Sequence, residues 1–73
     1  MNRFYERLLA EKQELDSRID RLTNFLESES IYAIDQRHTA LLNVQVNIMK
    51  AYSQVLLERI AITEVAAEEN VNN

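Results

Sequence analysis

Neither glycine nor proline occurs in the 73 residues, and this double absence constrains the fold more than any motif does. The strongest helix breakers are missing, so long uninterrupted helices meet no local obstacle. Turns that need positive φ at no steric cost are excluded by the same fact, as are glycine-rich phosphate cradles. The chain has to reverse direction by other means.

The stretch at residues 41–62, LLNVQVNIMKAYSQVLLERIAI, organises the rest. Only Lys50, Glu58 and Arg59 carry charge within it. Apolar side chains at Leu41, Leu42, Val44, Ile48, Met49, Tyr52, Val55, Leu56 and Ile60 recur at helical spacing. They form a band wider than one partner helix covers. Asn43, Gln45, Asn47, Lys50, Ser53 and Gln54 interrupt the stretch, which therefore does not read as a membrane span. Upstream, Tyr5, Leu8, Lys12, Leu15, Ile19, Leu22 and Leu26 step alternately by 3 and 4, the seam of a coiled coil or helical hairpin with one cation in its middle. Beside that seam Arg7, Glu11, Glu14, Arg18 and Arg21 alternate in sign as a solvated face, with Glu14 and Arg18 in the favourable order.

These patterns predict an all-α chain built as one antiparallel helical hairpin. The hairpin domain spans residues 1–65, with a helix over about 3–27, a short helical turn over 28–35 and a second helix over about 36–64. Residues 66–73 carry too little apolar surface to pack and are expected to fray. Ser28 or Ser30 can cap a new helix, and Asp35 is a second candidate N-cap. Ile31, Tyr32 and Ile34 are expected to fold over the end of the hairpin as a short apolar turn. A turn centred near residues 30–35 sets Ile19 against Gln45, Lys12 against Tyr52 and Tyr5 against Arg59. It leaves Leu9, Leu42, Met49 and Leu56 on exposed flanks. A core of this size supplies only about 3–5 kcal/mol without staples, metal or oligomerisation. With no cysteine and a single histidine, His38, disulfides, thiolate zinc sites and multi-imidazole zinc sites are ruled out. The expectation is a homo-oligomer, a symmetric multi-helix bundle of four helices or more.

Little supports catalysis. The serines at 17, 28, 30 and 53 have only His38 as a base, and Asp16 and Asp20 fall on the outer side of the first helix rather than in a cleft. The reading is of a non-enzyme without cofactor or metal. A net charge of −4, with acids interleaved among Arg3, Arg7, Arg18 and Arg21, argues against a nucleic-acid coat. Lys12 reads either as a register-setting polar residue with a packed stem or as a phosphate ligand at a subunit interface. Tyr5, Tyr52 and Phe4 read either as packing or as stacking platforms. A tyrosine with a lysine or arginine is what a nucleotide requires, an apolar face for the base and a cation for each phosphate. Arg59 opposite Tyr5 would supply a second such pair near the open end, joined by Arg3 and Arg7. A two-fold interface duplicates every cation, which matches a ligand with two-fold character and two phosphates. No signal peptide is evident in MNRFYERLL, where an acid appears by position 6.

The pattern FYERLLAEKQEL-x-x-RI-x-x-L-x-x-FLES, followed by LL-x-x-Q-x-x-x-M-x-x-Y-x-x-x-L-x-x-RI, resembles small helical-hairpin proteins of bacteriophages. It is similar to the hairpin shared by the anti-CBASS and anti-Thoeris sponge proteins, over roughly residues 3–62. The resemblance implies a non-enzymatic phage protein of the infected host's cytoplasm. Such proteins assemble as oligomers and sequester a cyclic nucleotide or cyclic ADP-ribose immune signal between protomers, held by aromatic and basic side chains. Matching residues fall at Tyr5, Lys12 and Arg59; with Arg7 and Tyr52 they make the candidate ligand-binding set. The alternative from another class is a protein–protein module whose wide apolar band clamps a helix of a host or phage protein.

Overall fold

A computed structural model describes the backbone of residues 3–72 and the side chains of residues 3–68. Met1, Asn2 and Asn73 lie outside the described residues. The fold is an all-α hairpin: helix α1 spans Arg3–Leu26, a 3-10 turn spans Glu29–Ala33, and helix α2 spans Gln36–Asn72. The two helices lie side by side along a rod of 58 × 16 × 15 Å.

The reversal is made without glycine. Ser28 and Ile34, which bracket the 3-10 turn, are both extended, with φ/ψ of −93°/165° and −117°/160°, and no described residue has positive φ. Ser28 serves both sides of the bend. Its hydroxyl donates to the Phe25 carbonyl at 2.7 Å, which also accepts from the Ser28 amide at 3.1 Å, and accepts from the Ser30 amide at 3.2 Å, so one residue ties the end of α1 to an orphan amide of the turn. Asp35 then caps α2, its carboxylate accepting from the Arg37 amide at 2.8 Å. Ile31 and Ile34 are half-buried against the end of the hairpin, whereas Tyr32, expected to join them, is 83% exposed.

Along α1 the seam is the one read from the sequence. Tyr5, Leu8, Lys12, Leu15, Ile19, Leu22 and Leu26 are all buried or half-buried, with Leu8 and Leu15 deepest. On α2 the inward row is Thr39, Leu42, Val46, Met49, Ser53, Leu56, Ile60 and Thr63, again a strict alternation of 3 and 4. Leu8, Leu15, Leu56 and Ile60 form the central cluster, with Tyr5, Ile19 and Met49 packed against it.

This inward row corrects the expected register. Leu56, placed on an exposed flank by the sequence reading, is the most buried side chain, at 0% exposure. Leu42 and Met49 also turn inward; of the four expected flank residues only Leu9 is exposed. Lys12 meets Ser53, the residue after Tyr52, and Tyr5 meets Glu64 rather than Arg59. A shift of one residue rotates a helix by about 100°, so a small error in placing the turn exchanges one apolar flank for another. Because α2 is apolar on more than one face, the hydrophobic pattern alone did not resist that rotation. Backbone helix also continues past the expected end near Glu64, through Asn72.

Removing the largest contact of this small core should be severe. Leu56→Ala is expected to cost about 2–5 kcal/mol, comparable to the ~3–5 kcal/mol that a core of this size supplies. Lys50→Ala, at an exposed position of α2, should stay within about 0.5 kcal/mol. Urea titrations followed by circular dichroism separate the two, and equal midpoints would mean the core lies elsewhere.

Candidate functional site

Two polar groupings interrupt the apolar seam, one at mid-hairpin and one at the open end. At mid-hairpin, α1 contributes Lys12 and Asp16 one helical turn apart, and α2 contributes Ser53. The Lys12 ammonium donates to Asp16 Oδ2 at 2.7 Å and to Ser53 Oγ at 3.0 Å, and the Ser53 hydroxyl donates to Asp16 Oδ1. The three side chains close a triangle across the helix interface. Ser53 is the small polar residue of the inward row that leaves room for the lysine stem to cross. The Lys12 hydrogen bond, with help from the Ser53 hydroxyl, holds the Asp16 carboxyl below the usual carboxylate range.

This arrangement bears on what Lys12 can do. Its ammonium is already neutralised by a carboxylate, so at rest it is not a free cation aimed at a phosphate. Beside it lies an open depression of 560 Å³ lined by Leu9, Lys12, Gln13, Asp16, Ser17 and Asp20. That lining carries two carboxylates against one ammonium, an unfavourable field for an anion.

At the open end, Leu8 and Ile60 are buried while their neighbours carry the polar and aromatic groups. Tyr5 is half-buried, and its phenol donates to Glu64 Oε1 at 2.9 Å. That bond to a carboxylate raises the Tyr5 phenol above its ordinary value. Arg59 is exposed and lays its guanidinium over the Phe4 ring, 5.9 Å from the centroid, a cation–π contact. Arg7 is exposed on α1, and Tyr52 is exposed on the flank of α2, at 42%.

Of the five candidate ligand-binding residues, the structure thus brings Tyr5 and Arg59 to the same end of the hairpin, though each has a different partner from the one expected. Lys12 stands in a closed polar triangle, Tyr52 lies on the flank of α2, and Arg7 lies on the exposed surface of α1. The sequence reading missed Asp16, Ser53, Glu64 and the Phe4–Arg59 contact. The signal for the triangle was present: Lys12 and Asp16 are four residues apart, and Ser53 sits in a heptad row with Leu56 and Ile60. It would have been found by testing that row, rather than Gln45, Tyr52 and Arg59, as the inward one. Asp35 and Arg37 pair at the turn, where hydrogen bonds from the arginine hold the carboxyl low. Both groups are solvated, and such a pair contributes little.

Among the described residues no group of three or more His, Cys, Asp or Glu side chains is placed to hold a metal ion, and no helix is long and apolar enough to cross a membrane. Fold and polar groups together define a helical hairpin that displays aromatic and cationic side chains along its length. The family model for Sequestin matches residues 2–62, and the chain belongs to the Sequestin family. That membership accords with the resemblance to phage anti-defence sponge proteins. No match was found among curated proteins or among solved structures.

The Lys12–Asp16–Ser53 triangle has a pH signature. A carboxyl with a lowered folded pKa adds stability above its ordinary pKa, and that stability is lost as pH falls through the lowered value. Asp16→Asn should therefore be less stable than the unaltered protein at neutral pH. The gap should narrow once the pH drops below the ordinary carboxylate value of about 3.9. Urea denaturation at neutral, mildly acid and strongly acid pH checks this; a gap that does not change with pH would show that Asp16 gains nothing from its charge.

Proposed function

We propose that the protein is a phage anti-defence factor that sequesters a cyclic nucleotide-type immune signal, a cyclic oligonucleotide or a cyclic ADP-ribose, without cleaving it. Membership of the Sequestin family supports sequestration as the general activity. The observation that carries the ligand class is the Arg59 guanidinium stacked over the Phe4 ring beside Tyr5 at the open end. An aromatic face and a cation held together are what a nucleobase and its phosphate need. The protein acts in the cytoplasm of the infected cell, where such signals accumulate, and it binds as a homo-oligomer with the ligand between protomers.

In this reading Tyr5 and Tyr52 offer stacking faces while Arg7 and Arg59 meet phosphates. Lys12 joins only when a phosphate replaces the Asp16 carboxylate as its partner. The open character of the single hairpin supports binding between protomers. The depressions beside Lys12 and beside the Asp35–Gln45 end of α2 are shallow grooves, and a tightly held ligand needs most of its surface covered. Burial between copies supplies that cover and slows release. In this reading affinity comes from ground-state contacts alone, with no bond-breaking step.

Thermal denaturation against a panel of cyclic dinucleotides, cyclic trinucleotides and cyclic ADP-ribose isomers tests the proposal. A true ligand at a hundredfold excess over its Kd stabilises the fold by about 2.7 kcal/mol, and it should be recovered intact after the protein is heat-denatured. Arg59→Ala should weaken binding about tenfold to a hundredfold, the loss of one or two charge-assisted hydrogen bonds, with helicity unchanged. No stabilisation by any member of the panel would overturn the reading, and recovery of a cleaved product would make the protein an enzyme instead.

A further inference from the structure

The Asp16–Ser53 and Tyr5–Glu64 contacts, which tie α1 to α2, fall on one line of each helix. Tyr5 and Asp16 are 11 residues apart on α1, and Ser53 and Glu64 are 11 residues apart on α2. Eleven residues make just over three turns, about 16 Å of rise. With the same offset on both helices, the two contacts together define one rotation and one axial position of α2 against α1. Arg59 lies between Ser53 and Glu64, six residues past the first and five before the second. Its guanidinium stands over Phe4, the neighbour of Tyr5.

Apolar packing does not hold that rotation by itself. The inward row of α2 has an exposed apolar or aromatic neighbour on each flank, Leu57 on one and Tyr52 on the other, and Val44, Val55 and Ile62 are exposed on the far side. A roll in either direction therefore exchanges one apolar side chain for another in the seam. The polar contacts are not exchanged in this way. A roll parts Ser53 from Lys12 and Asp16, and a part-buried ammonium and carboxylate then lose the hydroxyl that bonds both, a costly loss where water does not replace it.

The cation–aromatic contact is sensitive to the same motion. At 5.9 Å from the ring centroid, the guanidinium is near the limit of about 6 Å over which the attraction operates. A side-chain tip stands about 5–6 Å from the helix axis, so a roll of about 20° carries it about 2 Å. Arg59 follows Leu57 by two residues, about 200° around the helix, and the two lie on opposite flanks of the inward row. A roll that brings Leu57 into the seam takes Arg59 away from Phe4.

We propose that Ser53 and Glu64 are positioning residues for the Arg59–Phe4 pair. Through their contacts with Lys12, Asp16 and Tyr5 they fix the rotation of α2 that sets the guanidinium over the ring. Ser53 acts from about 9 Å down the helix and Glu64 from about 7 Å beyond Arg59, so neither role needs a contact with the arginine. The use of this arrangement to a ligand rests on the function proposed above. An arginine already set against an aromatic face presents its N–H groups to an anion in one orientation, and less freedom is lost on binding.

Nuclear magnetic resonance of the ligand-free protein reads the arrangement directly. Side-chain protons of Arg59 held over a ring are displaced by its ring current, and Phe4→Leu supplies their position without the ring. Ser53→Ala should move the Arg59 resonances most of the way to the Phe4→Leu values. Ser53→Thr, which keeps the hydroxyl, should hold them near those of the unaltered chain. Val46→Ala removes buried volume from the same inward row without altering either polar contact. It should lower stability and leave the Arg59 resonances in place, which separates positioning from packing in general. If Ser53→Ala loses helicity, Glu64→Ala, at an exposed position, is read instead and should displace Arg59 in the same direction. Arg59 resonances that stay put in the folded Ser53→Ala or Glu64→Ala variant, that Ser53→Thr fails to hold, or that move as far in Val46→Ala would overturn the positioning role. No ligand enters this measurement, so failure of the two readings is distinguishable. A panel without a stabilising messenger removes the ligand and keeps the positioning, whereas an unmoved Arg59 in Ser53→Ala removes the positioning whatever the panel binds.

Discussion

The α1–α2 seam is a single row from each helix, and its narrowness governs the rest of the molecule. Two helices in contact can bury only the side chains between them, and here that means a central cluster of Leu8, Leu15, Leu56 and Ile60 with half-buried neighbours along the line. Hydrophobic burial is roughly proportional to the apolar area removed from water. A rod of two helices therefore gains less than a globule of equal mass, while the backbone entropy lost per residue is the same. A row so thin has little to spare, so its polar interruptions matter. The Lys12–Asp16–Ser53 triangle sits where another leucine layer would have given more burial. It gives specificity of alignment instead: one helix supplies an acid and a base, the other a hydroxyl that bonds both, and a slip of one residue would leave a half-buried ammonium and carboxylate without their shared partner.

Alignment matters here because α2 is apolar on two opposite sides. On a helix with one greasy stripe, burial alone fixes the rotation. With two stripes related by about half a turn, either could face α1 at similar gain. Ser53 decides, since it lies in the inward row and nothing equivalent lies in the outer one. The triangle thus settles which face is consumed by folding and which stays exposed. Glu64 adds a second constraint at the open end by accepting the Tyr5 hydroxyl, again a pairing that the opposite rotation of α2 could not make.

Much of this was legible in the residues, and the part that was not has a definite cause. The two helices, their antiparallel course, the α1 seam and the Asp35 cap follow from apolar periodicity, from short polar side chains at the break, and from the absence of glycine and proline. The register did not follow. It depends on how many residues the reversal consumes, and a 3-10 turn between two extended residues advances the chain differently from a symmetric loop. The resulting displacement was enough to call Leu56 exposed and Tyr52 inward. Asp16 was read as a surface acid because its role exists only once Ser53 arrives from α2. Arg59 was rightly placed near the start of α1, but its partner is the Phe4 face rather than Tyr5. Long-range pairs of this kind have no local signature in a single sequence, whereas the Glu14–Arg18 pair, 3.4 Å apart in the structure, does.

The division of cations follows from the same geometry. A lysine in the seam must be compensated where it is buried, so Lys12 has its charge answered within the fold. An arginine on the flank carries no such obligation, and Arg59 rests against an aromatic face, which stabilises a guanidinium without neutralising it. A protein with net charge −4 that is to hold an anionic ligand needs its positive charge local and unneutralised. Arg59 on Phe4 meets that requirement, and Lys12 within its triangle does not. A phosphate approaching Arg59 would gain a bidentate partner and, among the described residues, would displace no carboxylate in doing so. The same phosphate approaching Lys12 would have to break the contact that sets the register. The middle of the seam thus keeps the helices aligned, while the Arg59 guanidinium at the open end takes no part in that alignment.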